Sequence, residues 1–196
     1  MTEADIYSTP EADLEVARSN QYAFFSTSIL KLTVLYIVTF GLYPIYWFYK
    51  NWASYKEYTG IKLKPALRSI FYIIFTHSLF QKINEKAVNQ GIETKWNAYV
   101  LATVFVLLTI VSSVLDTISR KTSSIGMADY ISFALMFILM WPLITVQRTV
   151  NSVNNDPSGE INSSFSFYNY VFILLGVLVW ILAVVGLSGI DISALG

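Results

Sequence analysis

His77 is the only imidazole in the chain and it sits among hydroxyls: Ser69 and Ser78 are near it in sequence, and Ser112 and Ser113 fall in the next apolar run. A serine activated by a histidine base performs acyl transfer or hydrolysis, so these residues define the one intramembrane hydrolase that the chain can assemble. Serines also pack routinely between apolar helices, and a lone histidine there is ordinarily hydrogen-bonded to a neighbour, which makes the structural role the expected one. A protein metal site needs three or four ligands. With no Cys and one His, the chain lacks thiolate sets and histidine clusters, so neither a metal nor a cofactor is expected.

The second chemistry is cationic. Lys50, Lys56, Lys62, Lys64 and Arg68 follow one another closely, Lys82, Lys86 and Lys95 extend the series, and Arg148 lies further on. Against Glu57, Glu85 and Glu93, these eight residues give the stretch from Lys50 to Trp96 a net charge of +5. Such a cluster attracts phosphate groups. Over the whole chain 13 basic residues balance 13 acidic ones, which argues against nucleic acid and leaves anionic lipid headgroups as the expected partner. Each Lys or Arg close to an anionic membrane surface contributes about 1 kcal/mol. The candidate lipid- or ligand-contacting residues are therefore Lys50, Lys56, Lys62, Lys64, Arg68, His77 and Arg148.

The elements that carry these residues follow from composition. The 196 residues are 55% apolar and only 13% charged, with a mean hydropathy of +0.53, where a soluble domain carries about 25% charged residues. The expected class is all-α, an integral membrane helical bundle. Between charged or polar ends, Lys31 to Lys50, Asn97 to Asp116 and Asp129 to Arg148 each allow about 27 Å of helix, and Asn169 to Asp191 allows about 32 Å, against a hydrocarbon core of about 30 Å. These are four expected spans, at about 29–49, 98–115, 130–147 and 169–190. Arg68 and Lys82 leave only about 20 Å between them, and Thr76, His77 and Ser78 interrupt that run, so residues 66–83 read as a short in-plane or re-entrant helix. Charge supports this. With no crossing at 66–83, the eight basic residues of 50–96 share a side with Arg148, leaving Arg18, Lys31, Arg120 and Lys121 opposite. If that segment crossed, the division would be nearly even and would give no orientation. The expectation is four transmembrane helices with both termini outside, and the alternative is five with the C-terminus inside. The polar, acidic residues 1–28 form a tail with no cleavable signal, and 29–196 form one transmembrane domain.

The run Gly41–Trp52, GLYPIYWFYKNW, is the densest motif. Tyr43, Tyr46, Trp47, Tyr49 and Trp52 have the amphipathic rings that settle where headgroups meet hydrocarbon, and they are expected to be an interfacial anchor. Pro44, following Gly41, should kink the first span, and Pro142 should kink the third. Two kinked helices would open a lipid- or ligand-sized gap, although proline is also simply tolerated in spanning helices. The tract resembles an uncharacterised family of small bacterial multi-span membrane proteins with a GLYxxYWFYKNW-like signature. Further similarity lies at Tyr7–Pro10, Pro65–Phe71, Ile74–Phe80 and Gln147–Gly159. That resemblance implies residence in a bacterial inner membrane and carries no catalytic residue with it.

Two weaker patterns complete the reading. Phe80–Lys82, Val88–Gln90 and Trp96–Asn97 echo Val146–Arg148, Val153–Asn155 and Tyr168–Asn169, as a parallel repeat of apolar helix, basic extension, turn and aromatic–Asn would. Asp156–Glu160 is a turn by composition and lacks the ligand spacing of a calcium loop, and Asn162–Ser164 matches a glycosylation sequon. None of the four expected spans has an ionisable residue at its centre, where ion-coupled transport requires one. The expected function is thus non-enzymatic: an accessory, assembly or lipid-interacting component of the bacterial inner membrane. The membrane-protein partner is another protein or a second copy. The alternative is a small oligomeric transporter or channel.

Overall fold

The computed structural model describes residues 22–121 and 126–188. The acidic tail up to residue 21, including Arg18 and the Tyr7–Pro10 element, and the Asp191 end of the last apolar run lie outside them. The described residues form seven α-helices and no strand: α1 Ile29–Val38, α2 Tyr43–Thr59, α3 Pro65–Ile70, α4 Tyr72–Asn89, α5 Ala98–Ser119, α6 Met127–Val153 and α7 Phe167–Ser188. Two of them, α5 and α6, are long and apolar enough to cross a membrane.

α5 and α6 form an antiparallel hairpin, joined at one end by Ser119 Oγ donating to the Asp129 carboxylate. Asp129 also accepts from Gly126 N at 2.8 Å, which caps the start of α6. α6 continues through Pro142 as a single helix. At the opposite end, here called the basal end, Trp96 Nε1 donates to Thr149 Oγ1 at 2.9 Å and ties the entry of α5 to the last turns of α6.

The run expected to cross at 29–49 is not one helix. α1 stops at Val38 and α2 starts at Tyr43, and α2 leads the chain back to the basal end that it left, so Lys31 and Lys50 sit at the same end and not on opposite sides. The reversal is built from backbone chemistry. Phe40 and Gly41 both adopt left-handed φ, 51° and 77°, a conformation that costs a side-chain-bearing residue about 1–2 kcal/mol and glycine nothing comparable. Phe40 is held in it by stacking on Trp180 of α7, with ring centroids 4.5 Å apart. The turn satisfies its own polar groups: Gly41 N donates to Tyr36 O, Phe40 N to Ile37 O and Leu42 N to Thr39 O. Thr39 Oγ1 then accepts from Tyr43 N at 3.0 Å. Pro44 falls in the first turn of α2, where its missing N–H removes a donor that would have had no partner. It begins a helix and does not kink one.

The 66–83 helix is likewise two pieces. α3 runs back along α2, the chain bends at Phe71, and α4 returns toward the basal end. Both α1–α2 and α3–α4 therefore begin and finish there. The core they build is aromatic: Trp47, Phe48, Trp52, Phe80 and Phe105 are all buried, and Phe48 meets Phe80 and Phe105 at centroid distances of 6.4 and 6.2 Å. Here the anchor expectation is corrected, because Tyr43, Trp47 and Trp52 lie in the core and only Tyr46 and Tyr49 of that set are exposed. The rings face α4, α5 and α6 because their spacing follows the helix period.

α7 rests on α1 at Gly176, where an added Cβ would lie 2.2 Å from Val38 O. One turn on, Trp180 Nε1 donates to Ile37 O at 3.1 Å, so α7 supplies a donor to the carbonyl end of α1. Gly176→Val should therefore separate the two helices and cost about 1–3 kcal/mol. In detergent its unfolding midpoint should fall by several degrees, while Val177→Leu on the exposed side of α7 leaves the midpoint unchanged.

Candidate functional site

Residues 22–28 precede α1 as an extended strap with no helix of its own, and each polar group of that strap needs a partner. α6 supplies them from one face. Gln147, Asn151 and Asn154 fall at i, i+4 and i+7 among the buried Val146, Val150 and Val153. Gln147 Nε2 donates to Phe25 O at 3.1 Å. Asn151 uses both ends of its amide on Thr27, accepting from its N at 3.3 Å and donating to its O at 3.0 Å. Asn154 Nδ2 donates to Phe24 O at 2.6 Å and to Ser26 Oγ at 2.9 Å. From the other side Asn51 Oδ1 of α2 accepts from Phe25 N at 3.2 Å, and Trp47 Nε1 donates to Gln147 Oε1.

The loop between α6 and α7 closes this clamp. Asp156 is buried and its carboxylate accepts from Glu160 N and Ile161 N, which makes 156–160 a structured turn. Asn162 donates to Ser26 O and accepts from Lys31 Nζ, so the sequon side chain is engaged within the fold. Lys31, only 6% exposed, also donates to Ser164 O at 2.7 Å. The two halves of the apparent repeat differ at this level: Asn97 is the N-cap of α5, whereas Asn169 is paired with Ser166, accepting from its N and donating its own N–H to the hydroxyl.

Beside the clamp lies a groove of about 930 Å³ between α1, α2 and α7. Its far half is lined by Leu35, Val38, Leu175 and Val179, and its basal half by Tyr46, Tyr49, Ser166, Tyr168 and Asn169. This volume falls in the range of small-molecule and cofactor pockets. Lys50 stands near the basal half, with Nζ 5.3 Å from the centre of the Phe25 ring.

The other expected site residues do not converge on the groove. Lys56, Lys62 and Lys64 are exposed along the end of α2 and the connection to α3. Arg68 stacks on Trp52 at 4.2 Å and on Phe75 at 5.0 Å. Arg148 is exposed on the outer side of α6. His77 faces α5, where Nε2 is hydrogen-bonded to Thr103 Oγ1 at 3.0 Å, and the Thr103 hydroxyl also lies within 2.9 Å of Tyr99 O. Its serine neighbours look elsewhere: Ser69 Oγ donates to Ala66 O and Ser113 Oγ to Thr109 O. No group of three or more potential metal ligands occurs among the described residues.

Sequence reasoning treated Gln147–Asn155 as a polar extension and missed the clamp. The signal was three amides at helical spacing between valines, which is a buried polar face and not a solvated one. No family model, curated protein or solved structure matches the chain.

Asn151→Leu leaves Thr27 N and Thr27 O without their partner while Gln147 Nε2 keeps Phe25 O, and each buried orphan costs about 1–3 kcal/mol. Its unfolding free energy in detergent should fall by several kcal/mol, with faster protease cleavage of the strap. Arg148→Gln, exposed on the outer side of α6, should change neither.

Proposed function

We propose that this protein is a non-enzymatic, multi-pass component of a bacterial inner membrane that associates with anionic lipid at its basal end. The observation that carries the reading is the placement of charge. Lys31, Lys50, Lys56, Lys62, Lys64, Arg68, Lys82, Lys86, Lys95 and Arg148 all belong to the basal end, and only Arg120 and Lys121 among the described residues belong to the other. A ten-to-two division is the pattern of a membrane protein whose basic end faces the cytoplasm.

Surface chemistry supports the membrane. Only 28% and 22% of the most apolar windows of α5 and α6 are buried within the protein, whereas a soluble core helix is covered on most sides. Leu107, Ile110, Val114, Phe133, Ile138 and Trp141 are exposed along them, an area that water would penalise and hydrocarbon would not. In this reading α5, α6 and α7 cross, and the α1–α2 and α3–α4 pairs dip in from the cytoplasmic side. His77, hydrogen-bonded to Thr103, is a tie between α4 and α5. The role is accessory: a protein that organises lipid or a partner at the cytoplasmic leaflet.

Changing Lys56, Lys62 and Lys64 to Gln tests this, since all three are exposed and none packs on a ring. The native protein should co-purify with phosphatidylglycerol above its share of the bulk membrane, and the triple variant should lose most of that excess. High salt, which shortens the Debye length from about 8 Å to about 3 Å, should have the same effect on the native protein. Equal enrichment in both proteins at both salt concentrations would contradict the reading.

A further inference from the structure

Arg68 is held in place without spending a hydrogen bond of its side chain. Its guanidinium carbon lies 4.2 Å from the centre of the Trp52 ring and 5.0 Å from that of Phe75, so rings of α2 and α4 both orient it. Stacking of this kind uses the faces of the guanidinium, whereas its five N–H donors point outward in its plane. The fork is therefore fixed and open. Among the described residues those donors meet neither an acceptor nor a carboxylate. They are not buried either, because the buried polar atoms without a partner are Tyr43 Oη, Trp52 Nε1 and Asn154 Oδ1.

The stripe that carries Arg68 runs from charge to hydrocarbon. Lys64 at the N-cap of α3, Leu67, Arg68 and Phe71 at its C-cap fall at i, i+3, i+4 and i+7, which is one face of a helix. Lys64 is exposed, Leu67 and Phe71 are exposed by 46% and 51%, and Ile70 and Ile74, next along the chain, by 65% and 70%. Because α3 leads away from the basal end, the cations come first and the apolar side chains follow. Lys64 and Arg68 repel one another at this spacing, and an anion seated between them relieves the repulsion. A phosphodiester offers the fork two oxygens, and acyl chains attached to it cover the apolar end of the stripe.

We infer that Arg68, with Lys64 beside it, binds the phosphodiester of one anionic glycerophospholipid through two parallel N–H···O bonds, with the acyl chains along Leu67 and Phe71. The site rests on the membrane reading above and differs from it in being a fixed contact, where Lys56 and Lys62 supply diffuse charge. A free phosphate would leave Leu67 and Phe71 uncovered. Diffuse attraction would not distinguish Arg from Lys at position 68.

The test uses the full chain in phosphatidylcholine nanodiscs with a trace of phosphatidylglycerol carrying a photoreactive diazirine in its acyl chain near the ester. Adducts mapped by peptide mass spectrometry should concentrate on Leu67 and Phe71. Added unlabelled phosphatidylglycerol should displace them, and inorganic phosphate should not. Arg68→Lys keeps the charge and loses the two-pronged bond, so the yield at these residues should fall about ten-fold. Lys95→Gln removes an exposed cation elsewhere at the basal end and should leave the yield unchanged. A native yield in Arg68→Lys, or an equal loss in Lys95→Gln, would overturn the site, and full displacement by inorganic phosphate would overturn the lipid assignment. The native protein decides even where Arg68→Lys fails to fold: adducts spread evenly over the outer faces of α5 and α6 and indifferent to added phosphatidylglycerol would overturn the proposal. Failure of the general reading is distinguishable. There the Lys56, Lys62, Lys64 variant keeps its phosphatidylglycerol excess, whereas failure of this site alone leaves that excess lost and Arg68→Lys labelled like the native protein.

Discussion

A peptide group that leaves a helix where water is scarce must find its hydrogen-bond partner inside the protein. That constraint organises this molecule twice. At the basal end it shapes the strap, whose N–H and C=O groups are taken up by the amides of Gln147, Asn151 and Asn154 on α6 and Asn51 on α2. At the far end of α1 it shapes the turn, where Thr39 bridges two helices and Trp180 of α7 covers the last carbonyls. Remove either set of partners and α1 cannot be held as a short helix that stops at Val38.

The charge distribution follows from the same hairpin. Because α1 and α2 return the chain to the basal end, Lys31 joins the cations it was expected to oppose, and the two ends become more unequal than a four-span arrangement would make them. The Lys31 ammonium is held by two uncharged acceptors, Asn162 Oδ1 and Ser164 O. The groove is a by-product of this arrangement. α2 bends away from α1 at the turn, α7 packs chiefly on α1 with Trp180 also meeting Phe133 of α6 at 5.8 Å, and the space left between α2 and α7 is lined by whatever side chains the two helices present.

Much of this was legible in the residues. The long apolar runs gave α5 and α6, and Asp156–Glu160 read correctly as a turn, whereas Thr76–Ser78 interrupts nothing, since α4 runs through it and the break in 66–83 falls at Phe71. The α1–α2 reversal was hidden because 29–49 has the length and hydropathy of a span, and length is blind to direction. Gly41–Leu42–Tyr43–Pro44 carried the missing signal: a left-handed glycine before a proline suits a helix end followed by a helix start. The anchor residues were misplaced for a related reason. Rings suited to an interface are equally suited to a core, and only the packing of α4, α5 and α6 against α2 decides that Trp47 and Trp52 go inward. The clamp was unreadable as a pair, because no local pattern connects an amide on α6 to a strap more than a hundred residues earlier.

The central claim is that residues 29–59 enter and leave on one side. The native chain has no cysteine, so a thiol introduced at Tyr22, Tyr58 or Lys121 reports its own side of the membrane to an impermeant maleimide in intact cells. The hairpin predicts that Tyr22→Cys and Tyr58→Cys are both shielded until the membrane is permeabilised, while Lys121→Cys is labelled from the start. Labelling of Tyr22→Cys together with Lys121→Cys, with Tyr58→Cys still shielded, would mean that the chain crosses between them and would contradict the account.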